Sequence, residues 1–440
     1  MANSESLARN SVTVDYAILH RPATLVAIAL LLFLLQLILA VSILDIVAPY
    51  NLRGMWITIP DFPDRLNDTG SMLERVFSRL NGWDGHWYHH IASNGYQCSA
   101  IPESNNPYQC NVAFFPLLSM LGAGLGSLGI DLLYALPLVS QLAWFATILA
   151  ILWFARSITT LHPLHLLVLL LLVAYPGALY GFVAYSESLL TLLVVLITIL
   201  AHHYLANPRW PLLAGLVLCC FMLGLVKGTG LVAAAIPVLM ALLHPRFDGK
   251  WFAREQLLVY AASSASLAGL LAFFLYSEIR FGDWALYFRY VGSAWGSDGT
   301  LRLNPLHLVT NFSWHDILAV RLSNVIAVTM PLAIGVVAAV SLRFAVQTRY
   351  LSLAVLGTVL MLFYVYTVPG NNGQFTNFNL MRHMLPLVAL LVLLAMTLPL
   401  SKLKQQTAGI IALVLLGLVY LQFHFQMEMF HAFKFGYWVS

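Results

Sequence analysis

Apolar stretches of about 17–25 residues, each long enough to cross a bilayer as a helix, recur along the whole chain. They fall near residues 24–48, 132–155, 163–183, 186–205, 255–277, 321–343, 350–368, 383–400 and 405–424. The stretch 211–243 is too long for one ordinary span and is interrupted by Lys227-Gly228-Thr229-Gly230, which predicts two short helices meeting at that break. Residues 113–130 are apolar but Gly-rich and predict a re-entrant or short segment. Charged residues make up only 9% of the chain, hydrophobic residues 60%, and the mean hydropathy is +0.82. A soluble domain carries about 25% charged residues. The expected fold class is an all-α polytopic membrane protein with about eleven transmembrane helices.

The first apolar run, Ala23 to Val47, exceeds the roughly 7–15 residues of a signal-peptide core, so it reads as a retained span. Lys and Arg in short loops orient the rest. Arg156, Arg209, Arg246 with Lys250 and Arg254, Arg343 with Arg349, and Lys402 with Lys404 all face the cytoplasm if 113–130 does not fully cross. This predicts a cytoplasmic N-terminus (1–22), a single transmembrane domain (23–424) and a C-terminal tail (425–440). Two long extracytoplasmic loops, 50–112 and 278–320, follow from the same scheme, and Met72 to Leu80 suits an amphipathic helix lying on the membrane. The net charge of +4 is scattered between apolar runs, which gives no reason to expect nucleic acid. Cys219 and Cys220 sit in an apolar run as packing residues, whereas Cys98 and Cys110 share a polar outer loop and are expected to pair as a disulfide.

One segment stands out chemically: Asn81-Gly82-Trp83-Asp84-Gly85-His86-Trp87-Tyr88-His89-His90-Ile91-Ala92-Ser93-Asn94-Gly95-Tyr96, followed by Ala113-Phe114-Phe115-Pro116. Asp84 is a lone carboxylate among aromatics and glycines just outside the first span. Partial desolvation there suits a general base, while the plainer reading is a cap for a helix starting near Gly85. Lys227 and Arg382 are rare cations at span ends on the predicted outer face, suited to a phosphate or to snorkelling. Glu187 begins an apolar run after Tyr185 and Ser186, and either orients a ligand hydroxyl or caps the helix with Ser186. His86, His89 and His90 leave a divalent metal possible, with Asp84 or Glu103 as a further ligand, although one helical pair is a weak signal.

The run Trp-Asp-x-x-x-x-x-x-Ile-Ala-x-x-Gly-Tyr with Ala-Phe-Phe-Pro resembles the PIG-V-like mannosyltransferases, which add the second mannose to GPI anchors, and their bacterial relatives. Ala184-Tyr185-Ser186-Glu187-Ser188-Leu189 resembles the family's Tyr-Ser-Glu block. Lys227-Gly228-Thr229-Gly230 stands where the family has Arg-Ser-Asn-Gly. Phe281-Gly282-Asp283-Trp284, with Trp295-Gly296 downstream, is similar to its Tyr-Gly-Asn-Pro and Trp-Gly loop, and Arg382 matches a late Arg. The resemblance implies a GT-C-like glycosyltransferase, a polyprenyl- or dolichyl-phosphate sugar donor and a lipid-linked or glycan acceptor. It also implies inverting transfer with Asp84 as the acidic residue of the first outer loop. Glu187 joins Asp84 as catalytic, with Trp83, Tyr185, Ser186, Lys227, Arg382 and Trp295 as substrate-binding residues. The expected setting is a multi-pass protein of a bacterial plasma membrane or the ER membrane, acting on the extracytoplasmic or lumenal side. A transporter or flippase of lipid-linked sugars, and a polymerase or ligase of surface polysaccharide, are the alternatives. A transporter should place its polar groups near mid-membrane rather than at one face.

Overall fold

The computed structural model describes residues 16–46, 70–98, 110–247, 249–294, 318–344, 348–367 and 380–434. Among these the chain is helical, with no strand beyond an isolated bridge between Cys98 and Cys110. The helices are α1 (Pro22–Val41), α2 (Met72–Leu80), α3 (Asp84–Asn94), α4 (Leu117–Ser127), α5 (Leu132–Ile158), α6 (Pro163–Val173), α7 (Glu187–Ala206) and α8 (Trp210–Val226). They continue with α9 (Gly230–Ala233), α10 (Ala235–Leu243), α11 (Arg254–Phe281), α12 (Leu286–Ala294), α13 (Leu318–Phe344), α14 (Arg349–Thr367), α15 (Leu380–Ala395) and α16 (Gln405–Lys434). Trp295 and Glu103 lie outside the described residues.

Five helices among the described residues are long and apolar enough to cross a membrane, and seven shorter apolar ones pack with them. α1 shows why lipid is the solvent. It buries Leu25, Ala29, Leu32, Gln36 and Ala40 and exposes Leu30, Leu31, Leu34, Leu35 and Ile38. A helix that is apolar all round has no water-facing side. α16 exposes Ile410, Leu413, Val414 and Leu416 in the same way. The architecture is that of a multi-pass membrane protein.

The bundle has two chemically distinct ends. At one, Asp45 after α1 pairs with Arg75 of α2 (Nε to Oδ1, 2.9 Å), and Asn81 Nδ2 donates to the Leu133 carbonyl at the start of α5 (2.7 Å). At the other, His20 before α1 accepts from the Leu161 N–H (3.1 Å), and the Tyr350 hydroxyl meets His202 Nδ1 (2.7 Å). Arg156, Arg209, Arg246, Arg254, Arg343, Arg349, Lys402 and Lys404 occupy helix ends or the connections between helices. α4 has 11 residues and spans about 16 Å, too short for a hydrocarbon core of about 30 Å. Leu132 packs against Gly126 and Leu136 against Gly122, so α4 folds back along α5.

The expected single helix over 163–183 is not formed. α6 ends at Val173, and Tyr175 to Ser186 is a wholly buried irregular segment with a 3-10 turn at Pro176–Gly181. Pro176 has no N–H to donate and disfavours helix at the residue before it. Irregular backbone at such depth is tolerated only when protein groups satisfy it. Gln426 donates to the carbonyls of Val173 (3.0 Å) and Tyr175 (3.1 Å), Gln141 to Phe182 (3.3 Å) and Ser140 to Tyr185 (3.0 Å). The break at Lys227 forms as the sequence predicts, between α8 and α9. α16 runs on to Lys434 through the start of the expected tail.

α8 crosses α11 at small residues, the usual device where lipid removes the hydrophobic drive between helices. A Cβ on Gly224 would overlap the Ser266 carbonyl, and one on Gly269 the Phe221 carbonyl. Gly224→Val and Gly269→Val are therefore expected to destabilise the protein by about 1–3 kcal/mol each through overpacking. Thermal unfolding in detergent micelles checks this. Gly124→Ala, where nothing lies within 4 Å of the added methyl in α4, should keep the midpoint or raise it slightly.

Candidate active site

Four charged side chains from four parts of the chain converge beside α3. Arg382, in the first turn of α15, is shared between two carboxylates: its Nη1 donates to Asp84 Oδ2 and its Nε to Glu187 Oε1. Lys227, at the helix break, donates from Nζ to the same Glu187 Oε1 (2.8 Å) and lies 3.1 Å from His383 Nδ1. The order of charges is thus Asp84, Arg382, Glu187, Lys227, alternating in sign and summing to zero. Exposure is graded along it. Glu187 is 0% and Arg382 9% exposed, whereas Lys227 and Asp84 keep 19% and 21%. The buried pair forms the floor, and Asp84 and Lys227 are its two accessible ends.

Burying charges in an apolar bundle is costly unless they are paired and hydrogen-bonded. Glu187 meets that condition through Oε1 alone; Oε2 is buried without a hydrogen-bond partner among the described residues. Arg382 is braced by aromatic faces, with Cζ 4.6 Å from the Tyr185 ring centroid and 5.9 Å from that of Tyr180. Tyr185 also accepts a hydrogen bond from the Asp84 N–H (3.1 Å). One tyrosine therefore positions the backbone of one partner and the guanidinium of the other.

Local sequence explains how Asp84 arrives there. α2 starts in a capping box, with Ser71 Oγ accepting from the Glu74 N–H and the Glu74 carboxylate accepting from the Ser71 N–H. The chain then turns at Asn81-Gly82. The Ala184 N–H donates to the Leu80 carbonyl (2.9 Å), and Gly85 brings the start of α3 against Ala184. Trp83 has φ +55°, a left-handed value that L side chains avoid. Strain of this kind persists where the surroundings over-determine it and clusters at functional sites. It directs the Asp84 N–H at Tyr185 and the carboxylate at Arg382. Neither capping reading describes these residues: α3 has Trp83 at its N-cap without a side-chain cap bond, and Ser186 makes no cap bond for α7. Ser186 instead accepts from the Tyr88 hydroxyl (2.9 Å). Burial holds the Tyr88 phenol well above its usual range, so it remains a donor through alkaline pH.

The Ala113-Phe114-Phe115-Pro116 block packs rather than reacts. Phe114 stacks on Trp87 (5.7 Å) and its carbonyl accepts from the Tyr96 hydroxyl, while Phe115 sits against Phe273 (5.0 Å) and Tyr287 (5.2 Å). Cys98 and Cys110 are joined by a disulfide with Cα atoms 4.1 Å apart. Beside it, Asn111 holds the chain ends through Gln97 and Gly95 and places Nδ2 3.2 Å from His90 Nδ1. No group of three or more His, Cys, Asp and Glu suited to a metal occurs among the described residues. The cluster therefore unites Asp84, Glu187, Lys227 and Arg382, with Tyr185, Ser186 and Trp83 around them. Sequence reasoning missed Tyr88 and His383. Tyr88 lies one helical turn beyond Asp84 and His383 directly follows Arg382, spacings that carried a usable signal.

No family model matches the sequence, and no curated protein matches it. The chain is similar to solved structures of an archaeal oligosaccharyltransferase. One, from Archaeoglobus fulgidus and tethered to an acceptor peptide, aligns with a TM-score of 0.49 at 13% identity over 92% of this chain and 55% of that one. A second, AglB from the same organism with an inhibitory peptide and a dolichol-phosphate, gives 0.49 at 14% identity over 92% and 56%. A third, with zinc and sulfate, gives 0.48 at 14% over 91% and 53%. This chain spans about half the length of those proteins.

Removing the Glu187 charge would leave Lys227 without its carboxylate and the buried Arg382 with Asp84 as its one counter-ion in the cluster. Glu187→Gln is expected to destabilise the protein by about 3–5 kcal/mol, the usual cost of breaking a buried pair from one side. In a double-mutant cycle, Glu187→Gln with Arg382→Met should recover a large part of that loss. Additive losses in detergent melts would mean that the two side chains are not energetically coupled.

Proposed function

We propose that the protein is a GT-C-like membrane glycosyltransferase that moves a hexose, mannose first among candidates, from a polyprenyl- or dolichyl-phosphate donor to a lipid-linked or glycan acceptor. The observation that carries this reading is the shared Arg382, which ties a partly exposed carboxylate to a buried one beside a lysine at a helix break. Transfer from a lipid phosphate needs a base for the acceptor hydroxyl and cations for the departing phosphate, and this cluster contains both. The sequence blocks around Asp84, Glu187, Lys227 and Arg382 are those that resemble the PIG-V-like transferases. The arrangement also favours an enzyme over a transporter, since the charges gather at one end of the bundle.

In the proposed reaction, the acceptor oxygen attacks the anomeric carbon on the face opposite the phosphate, inverting its configuration. Its proton passes to the Asp84 carboxylate. The bond from the anomeric carbon to the phosphate oxygen breaks with its electron pair, and the phosphate leaves with the lipid. While Asp84 Oδ2 accepts from Arg382 Nη1, the guanidinium occupies the oxygen that would take the acceptor proton. Arrival of the donor phosphate offers Arg382 a bidentate anion. Asp84 is then released at the moment the substrate is in place. Lys227 and the N–H groups at the break complete the phosphate site. Glu187 keeps both cations in place through Oε1, leaving Oε2 to receive a sugar or acceptor hydroxyl as the cluster opens. On this reading the site opens to the extracytoplasmic or lumenal side, where lipid-phosphate sugars are consumed. Ser186, Tyr185 and Trp83 are the substrate-binding residues proposed beside these groups, and Trp295 is assigned to substrate binding on the sequence resemblance alone.

The test is turnover by the purified protein with a panel of polyprenyl-phosphate sugars. Asp84→Asn is expected to lower kcat about 10²–10⁴-fold while leaving donor binding intact. Lys227→Ala should weaken donor binding, and Lys227→Arg should be tolerated because both bind phosphate. Near-normal turnover by Asp84→Asn would remove Asp84 as the base.

A further inference from the structure

We infer that His383 is a positioning residue that fixes the Lys227 ammonium in the phosphate site; this rests on the transferase reading only for its kinetic consequence. The geometry comes first. Lys227 Nζ lies between Glu187 Oε1 at 2.8 Å and His383 Nδ1 at 3.1 Å. An ammonium has three donors and no acceptor, so the imidazole must accept at Nδ1 and carry its proton on Nε2. His383 is thereby neutral and set in one tautomer by its contact with Lys227.

The need for such a residue follows from the chain. Lys227 sits at the C-cap of α8 in extended backbone (φ −167°, ψ 143°), on a long flexible stem and with no helix to constrain it. Glu187 alone would leave the ammonium free to pivot about one oxygen, an oxygen that Arg382 also uses. A second acceptor on a different helix defines the position of Nζ. Because His383 follows Arg382 in α15, the same turn places the guanidinium and sets the lysine. The two cations therefore keep a fixed separation, as bidentate recognition of a phosphate requires. The other charged group acting on the imidazole is Arg382 on its own helix. A protonated ring would add a third positive charge beside two and give up the lysine.

His383→Asn places a carbonyl oxygen where Nδ1 stands, and His383→Phe keeps the ring without an acceptor. His383→Gln moves the amide one bond further out and serves as a polar variant if Phe fails to fold. The experiment has two arms. In the first, intact protein without substrate is treated with an amine-reactive reagent, and labelling of Lys227 is followed by mass spectrometry against Lys250 and Lys402. Phe and Gln should raise the Lys227 labelling rate several-fold, and Asn should leave it at the wild-type rate. In the second, turnover with a polyprenyl-phosphate sugar should show the donor KM raised about tenfold in Phe and Gln with kcat little changed, the loss of one hydrogen bond to a charged group. Asn should restore KM. Labelling that behaves as stated without turnover by any variant upholds the role of His383 and overturns only the transferase reading. Equal labelling in Asn, Gln and Phe, or a fall in kcat with KM unmoved, overturns the inference.

Discussion

A fully buried glutamate is the constraint on which the rest of this structure depends. Glu187 begins a membrane-spanning helix, and a charge there is costly at membrane depth unless partners neutralise it. Two cations do so, and they come from residues 40 and 195 positions away in sequence. Satisfying one carboxylate thus fixes the break between α8 and α9 and the first turn of α15 against the start of α7. Asp84 joins through the second face of Arg382, so the helix that carries it is positioned by the same ion. The charges are held by pairing rather than by solvent, which makes them available to a ligand that can replace one partner by another.

The backbone around the cluster gives up regularity to make it possible. Tyr175 to Ser186 runs as buried irregular chain, where a continuous helix would have moved Tyr185 and Glu187 out of register with Asp84. The hydrogen-bonding capacity lost there is returned by Gln141, Ser140 and Gln426 from α5 and α16. Trp83 bears the local strain, and its left-handed φ is the turn that aims Asp84 at Tyr185 and Arg382. The phenylalanines ahead of α4 act at one remove, packing α3 against α11 and α12.

The helices were readily legible in the sequence. Apolar run length marks them, and Met72 to Leu80 forms the amphipathic helix that its pattern implies. Lys227-Gly228-Thr229-Gly230 interrupts α8 and α9 where a cation and two glycines oppose a continuous helix. The region 163–183 was misread because run length does not weigh Pro176 against a tertiary setting able to bury broken backbone. Pairing was the hidden level. Asp84, Glu187, Lys227 and Arg382 each stood out as a rare charge, but a linear sequence does not say which carboxylate holds which cation. Glu187 accordingly looked like a helix cap or a sugar ligand, and its service as the counter-ion of two cations needed the fold. His383 was passed over because a linear sequence does not show that a lysine from another helix is set against it.

The central claim is that Arg382 exchanges Asp84 for the donor phosphate. It is tested most directly by a structure of the protein in lipid nanodiscs with a polyprenyl phosphate bound, set beside one without it. The account predicts that the phosphate takes the Arg382 guanidinium near Lys227, with the Glu187 pair intact and the Asp84 carboxylate turned free toward the acceptor side. A bound phosphate lying away from Arg382, with Asp84 and Arg382 still paired, would contradict it.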